Sequence, residues 1–394
     1  MQLPEKIIRS TPWLLSYSIQ RCLRRPGLQR KPHLIFCLAD HFEPAILPGQ
    51  GDTRASRDVQ EERLEQWCRE VPKAINEWRD GEGFPFRHTY FYPAEQYDFG
   101  IVERIAQHCH DGWGELEIHL HHGLSKPDTP GDTRKTLLQF RDALASHGCL
   151  SQFQGKGEPR YAFVHGNFAL ANSAGNRGCG VDSEMKILSE TGCFGDFTLP
   201  AAPKISQTAK INSLYECALP LDQRAPHRKG KDLQRNCEPR IFPLIVQGPL
   251  MLDFSRRKSG IPVPVIENAE ISTLHPATME RMRLWRAASI SIKGRPDWIF
   301  IKLHCHGMDP RDAGAMHGDL MKSFLRQMAE GARAGDYHFH FTTAREMVNI
   351  ILAACDGKTG NPGFFRDYRF TLIGRPVESE KVRRADQVVS RLGD

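Results

Sequence analysis

The sequence predicts an α/β barrel, and three observations predict it. Short β-rich runs alternate with longer helical patterns, those runs number seven, and three of them end in histidine or aspartate. Parallel strands joined by crossover helices require such alternation. In barrels of this kind the loops after the strands converge on one face, so polar residues just past several strand ends meet in space.

Strands are expected over residues 33–39, 87–92, 115–121, 159–165, 194–199, 298–304 and 337–342. Helical periodicity fills 54–80, 96–110, 133–147, 182–191, 312–333 and 343–355. Gly148 stops the third of these helices and Asp182 opens the fourth. Thr343-Ala344-Arg345-Glu346 reads as a capping box, in which the threonine and glutamate side chains satisfy free amides of the first turn. Residues 205–295 break the alternation with a basic loop near Arg224 to Arg240, the apolar run Ile241 to Val246 and a proline-rich run from Ile261 to Ile266. This stretch reads as an insertion of loops and β-hairpin on the barrel rim, where insertions commonly shape substrate clefts. The expected organisation is a basic amphipathic segment over 1–31, the first part of the barrel over 32–204, the insertion over 205–295, and the last part of the barrel with a C-terminal tail over 296–394.

At 40% hydrophobic and 25% charged residues the composition is that of an ordinary globular chain with a sizeable core. The cysteines number eleven, an odd count, with irregular spacing and no CxxC pair, which favours reduced thiols over a disulfide scaffold. Near the N-terminus the longest apolar candidate, Trp13 to Ile19, is too short and polar for a signal peptide. No run reaches the roughly 20 apolar residues of a membrane span. Both features fit the cytoplasm. Residues 1–31 hold seven basic residues against Glu5 alone, which accounts for the whole net charge of +6 and leaves the body about neutral. With Trp13, Leu14, Leu15, Tyr17 and Ile19 interleaved, this segment suits peripheral contact with an anionic membrane, or a terminal helix docked on the body. The body lacks a basic stripe with interleaved aromatics, so no nucleic-acid partner is expected.

The chemistry gathers at strand ends. The first strand runs into Asp40-His41-Phe42-Glu43-Pro44, the third ends in His119-Leu120-His121-His122, and the sixth ends in His304-Cys305-His306. Residues two apart on a strand point to one face, so His119 and His121 set two imidazoles side by side, and His304 and His306 repeat the spacing. Zinc and similar divalent ions take imidazole nitrogen and carboxylate oxygen, with three protein ligands and an open position in a catalytic site. Asp40 with two histidines of the third strand supplies that count. His108, His110, His147 and His317 fall in helical patterns and are read as surface residues.

These residues resemble the polysaccharide deacetylases of carbohydrate esterase family four, over roughly residues 33–200 and 298–355. His88-Thr89-Tyr90-Phe91-Tyr92-Pro93 is similar to that family's second strand, Glu115 to His119 to the approach to its metal-binding histidines, and Ile187 to Gly192 with Asp196-Phe197-Thr198 to its later helix and strand. Leu303-His304 is similar to the late motif whose histidine acts as general acid. Asp40 to Pro44, Lys302 to Gly307 and Thr343 to Met347 also resemble a deacetylase-like subgroup found among exopolysaccharide biosynthesis functions. The resemblance implies a distorted seven-stranded (β/α) barrel of the glycoside hydrolase and deacetylase type. Ala39 stands where that family has a first aspartate, the spaced histidine pair is replaced by His119 to His122, and Val164-His165-Gly166-Asn167-Phe168 replaces its arginine motif.

The expected function is metal-dependent removal of an N- or O-acetyl group from a sugar or polysaccharide precursor. Asp40, His119 and either His121 or His122 hold a divalent ion, zinc first among the candidates, and strand geometry favours His121. Glu43 and His41 are candidates for the base, and His304 or His306 protonates the leaving group. Asn167, Arg177 and Asp182 are candidates to hold sugar hydroxyls, with turn structure and capping as their alternative roles. Two rival classes share the barrel: a metal-free glycoside hydrolase or lyase using Glu43 with Glu117 or Asp196, and a catalytically silent glycan-binding or scaffold protein.

Overall fold

The computed structural model describes residues 3–24, 31–50 and 53–374, and the expected C-terminal tail beyond 374 lies outside them. The first half of the chain forms strands β1 (His33–His41), β2 (His88–Pro93), β3 (Gly114–Leu120), β4 (Ser151–Phe153), β5 (Lys156–His165) and β6 (Cys193–Asp196). Residues 205–295 add β7 (Leu214–Cys217), β8 (Gly230–Asp232), β9 (Leu244–Val246), β10 (Met251–Asp253), β11 (Arg257–Lys258), β12 (Ile261–Pro262), β13 (Val265–Glu267) and β14 (Glu270–Ile271). The last are β15 (Trp298–Cys305), β16 (His338–Thr342) and β17 (Phe370–Leu372). The helices are α1 (Leu3–Leu23), α2 (Arg57–Ile75), α3 (Phe99–His108), α4 (Pro130–Ser146), α5 (Glu184–Thr191), α6 (Met279–Ala287), α7 (Ala313–His317), α8 (Asp319–Ala334) and α9 (Ala344–Cys355).

All seven expected runs are strands, but they do not make a sheet of seven. The main sheet has 13 strands in the order β14-β15-β1-β2-β3-β5-β6-β9-β7-β8, with β16, β4 and β17 off that path. β16 pairs with the first half of β1, at His33 to Cys37, and β2 with its second half, at Leu38 to His41. The insertion contributes to the sheet itself. β9, the buried Leu244-Ile245-Val246, lies parallel to β6, and β14 pairs with the end of β15 so that Glu270 stands opposite His304. The β10–β13 and β11–β12 pairs lie outside the main sheet, and the β11–β12 hairpin is exposed.

Alternation along β1 separates two cores. Leu34, Phe36 and Leu38 pack with Leu64, Trp67 and Val71 of α2 and with α3, whereas Ile35, Cys37 and Ala39 pack with α9. α9 is buried along its whole length, and Thr343 and Glu346 close its capping box. Burial on both faces is why these strands read as continuous apolar runs. α7 and α8 together occupy the helical pattern expected over 312–333, divided at Gly318, the N-cap of α8.

α1 docks on the body. Trp13 is buried among Ala202, Ile211 and Leu250, the Gln20 side chain donates to Ile211 O, and Arg24 donates to the carbonyls of Asn212 and Ala288. Leu15, Ile19 and Leu23 remain exposed at 66%, 52% and 77%. No helix among the described residues is long and apolar enough to cross a membrane. Two histidines read as surface residues are instead buried. His108 Nε2 meets the Tyr90 hydroxyl at 3.1 Å, and His147 Nδ1 pairs with Glu103 at 2.7 Å, because the apolar faces of their helices carry them inward.

Candidate metal centre

The end of β1 sends its two polar residues to opposite faces. His41 follows Cys37 and Ala39 toward the α9 side of the sheet, while Asp40 turns into the layer of α2. Asp40 is fully buried, its Oδ1 accepts the Gly307 N–H at 2.7 Å, and its Oδ2 pairs with His88 Nδ1 at 2.9 Å. A methyl group on Gly307 would overlap both Asp40 and Trp67, so glycine is what lets this amide reach the carboxylate. Asp40 thus stands with His88 and Cys305, apart from the group that contains His119.

Glu43, two residues past His41, takes the position beside the third-strand histidines. His119 Nε2 lies 3.1 Å and His121 Nε2 lies 3.5 Å from Glu43 Oε1. The other nitrogen of each ring is committed elsewhere: His119 Nδ1 to the Val164 carbonyl at 3.0 Å, and His121 Nδ1 to Glu95 Oε1 at 2.7 Å. Both partners are acceptors, so each Nδ1 carries a proton, and each Nε2 faces the Glu43 oxygen. Burial lowers the His119 pKa against the Glu43 hydrogen bond that raises it; burial alone would raise Glu43, but the His119 hydrogen bond holds it down at about 2. Two imidazole nitrogens and a carboxylate oxygen therefore converge, an arrangement that either protons on the rings or a cation in their place holds together. Anchoring of the far nitrogen by a carbonyl or carboxylate is also how ligand histidines are oriented. On this chemistry Glu43, His119 and His121 fit a divalent ion, and Glu43 and His119 also form a buried ligand group with His41.

Around this centre lie the other strand-end histidines. The His41 ring centroid is 4.8 Å from that of His119, 4.7 Å from His306 and 6.3 Å from His304. Phe168 stacks on His41 at 5.6 Å, and Lys204 Nζ lies 3.9 Å above the Phe168 ring. The Nδ1 atoms of His41 and His304 are buried with no hydrogen-bond partner among the described residues. Burial, reinforced for His41 by His306 and for His304 by Lys302, lowers both pKa values well below the ordinary range, leaving two neutral bases. His306 is half-buried.

The remaining candidates are spread differently. His122 turns away from His121, with Nδ1 on Asp128 and Nε2 on Glu184. Asn167 donates from its amide to the carbonyls of His122 and Gly178, Asp182 accepts from Asn172, and Arg177 is exposed on the same loop. Glu95 was missed by the strand-end reading although it lies just past β2, where the same rule would have found it. A cavity of about 880 Å³ lies elsewhere, between α1 and residues 209–214 and 289–296, toward the N-terminal end of β15.

No protein-family model matches this chain, and no curated protein matches it in sequence. Among solved structures, the chain is similar to a provisionally named polysaccharide deacetylase from Mycobacterium smegmatis, with 14% identity and a TM-score of 0.39 over 80% of this chain and 94% of that one.

Proposed function

We propose that this chain is a metal-dependent hydrolase that removes an N- or O-acetyl group from a sugar or polysaccharide precursor, with Glu43, His119 and His121 holding a divalent ion, zinc first among the candidates. The observation that carries this reading is the convergence of His119 Nε2 and His121 Nε2 on Glu43 Oε1, with the far side of each imidazole already anchored. A bound ion of this kind supplies a water of lowered pKa, near about 7, and polarises a carbonyl.

The protein's own part is orientation and proton movement. Val164 O and Glu95 fix the tautomers of His119 and His121. His41 Nδ1 and His304 Nδ1, buried and unbonded beside the centre, are placed to accept a proton there, and negative charge developing at the centre has to offset the basicity that burial removes. His306, half-buried beside His41, is suited to return it to the departing sugar oxygen or nitrogen. Phe168 covers one side of His41 and excludes water there. Of the sugar-contact candidates, Arg177 is exposed, while the side chains of Asn167 and Asp182 bond within their loop.

The metal-free glycoside hydrolase reading has less support. Glu117 is fully buried and its Oε2 accepts the Ala162 N–H, and Asp196 accepts from both the amide and hydroxyl of Thr198, so both acids are spent inside the sheet. The test is acetate release from acetylated sugar oligomers, with metal content measured on the same preparations. Glu43→Ala and His119→Ala are expected to lose the ion and at least a hundredfold in activity. Unchanged activity in either variant contradicts the proposal.

A further inference from the structure

Behind the third strand lies a second convergence of ligand atoms, built by different elements. His122 follows β3, His165 ends β5, Cys179 lies in the loop after β5, and Glu184 opens α5; all four are buried. His122 Nε2 is 3.1 Å from His165 Nε2 and 2.8 Å from Glu184 Oε1, which is 3.7 Å from His165 Nε2. Cys179 Sγ is 3.7 Å from Glu184 Oε2. Ligands bound to one tetrahedral zinc at its usual bond lengths stand about 3.3–3.8 Å apart; the two nitrogens and Glu184 Oε1 are at that spacing or up to about 0.5 Å inside it, and one ligand atom from each of the four residues lies within 4.8 Å of the others.

The surroundings are those of a ligand set. His122 Nδ1 donates to Asp128 Oδ2 at 2.9 Å, and Thr133 Oγ1 donates to the same oxygen at 2.8 Å, which fixes the ring with Nε2 toward Glu184 Oε1. Glu184 Oε2 accepts the Ala171 N–H, leaving Oε1 for the shared point. The metal-free alternative is an imidazolium at His122 held between Asp128 and Glu184.

The segment these residues tie down is one that regular structure does not hold. Between β5 and α5, Phe168, Ala171, Asn172 and Asn176 all have positive φ, and the one element is a three-residue 3-10 turn. Phe168 of this segment stacks on His41, and a methyl group at Gly166 would overlap the His121 ring.

We infer that His122, His165, Cys179 and Glu184 form a second, structural metal site, separate from the Glu43 centre, that takes a thiolate-binding divalent ion such as zinc and pins residues 166–183 against the catalytic face. A sulfur ligand selects zinc over magnesium or calcium. Binding releases the Cys179 thiol proton and the His122 Nε2 proton to solvent and moves the His165 proton from Nε2 to Nδ1, breaking the 3.2 Å bond from the Asn167 N–H. The inference stands on its own geometry and does not require the Glu43 centre to be catalytic.

The test is cobalt(II) loading of the full chain, read by the near-ultraviolet thiolate-to-cobalt charge-transfer band and by metal content. Cys179 and Cys305 are the two thiols that stand in buried ligand groups among the described residues, so Cys179→Ser and Cys305→Ser are compared. The expected result is a band present in the unaltered chain and in Cys305→Ser, absent in Cys179→Ser, with one equivalent of metal lost. His119→Ala is expected to lose a different equivalent and keep the band, so failure of the Glu43 centre is distinguishable from failure here. If Cys179→Ser does not accumulate as folded protein, Cys305→Ser decides: a retained band supports the site and a lost band overturns it. No band in the unaltered chain, or a band that survives Cys179→Ser, also overturns the inference.

Discussion

Glu95 gives the most graded test of the candidate centre, because it touches the proposed ligand His121 and lies outside the proposed ligand set. Its Oε1 accepts from His121 Nδ1 at 2.7 Å and its Oε2 from the His121 backbone N–H at 3.2 Å, so one carboxylate fixes both the ring and the main chain of that residue. Carboxylates that orient a ligand histidine typically contribute about 10–100-fold in metal affinity, which is roughly 1.4–2.8 kcal/mol. Glu95→Gln keeps an oxygen to receive the Nδ1–H and removes only the charge. The side chain is 26% exposed, so solvent screens part of the charge effect. The loss for Glu95→Gln is therefore expected near the lower end, about tenfold, and for Glu95→Ala near the upper end, about 100-fold. Competition against a chromophoric zinc chelator measures both, and acetate release should fall in the same order. Equal zinc affinity in Glu95→Ala and the unaltered chain, or a larger loss in Glu95→Gln than in Glu95→Ala, refutes the orientation argument.

Three further predictions follow from particular contacts. Gly166→Ala forces a methyl group into the His121 ring, so zinc affinity and acetate release should fall together while the thermal midpoint moves little; an unaltered affinity would show that His121 has room to shift. Burial alone would raise the Glu346 carboxyl, but Arg87, Arg366 and Arg345 hold it at about 2 against an ordinary 4.5, so its stabilisation is full above about pH 4.5 and is lost as the pH falls toward 2. Glu346→Gln should accordingly cost about 3–5 kcal/mol in urea unfolding at pH 7, with the difference from the unaltered chain shrinking at pH 3; a pH-independent difference contradicts this. If α1 meets an anionic bilayer through its exposed stripe, replacing Leu15, Ile19 and Leu23 together by Ser should reduce sedimentation with phosphatidylserine vesicles at least severalfold, and unchanged sedimentation removes the membrane contact.

The strand positions were legible because each core strand is apolar on both faces and ends in turn residues, and the capping box at Thr343 was legible because its two side chains act locally. The ring of seven was not, since whether Leu244-Ile245-Val246 lies on the rim or beside β6 depends on contacts that a three-residue apolar run does not encode. At the site, the spacing of His119 and His121 correctly implies a shared face. The same period-2 rule also separates Asp40 from His41, and applied to β1 it puts His41 on the side of Cys37 and Ala39. Two features escape sequence reasoning altogether. His122 meets Glu184 through the fold of an irregular 18-residue stretch, and Asp40 meets Gly307 across parallel strands that are far apart along the chain.

The most direct test of the centre is anomalous diffraction at the zinc edge from crystals of the full chain grown with the ion. The account predicts a peak about 2.0–2.2 Å from each of Glu43 Oε1, His119 Nε2 and His121 Nε2. A peak bound by Asp40 in their place, or no density between these three atoms at saturating zinc, would contradict it.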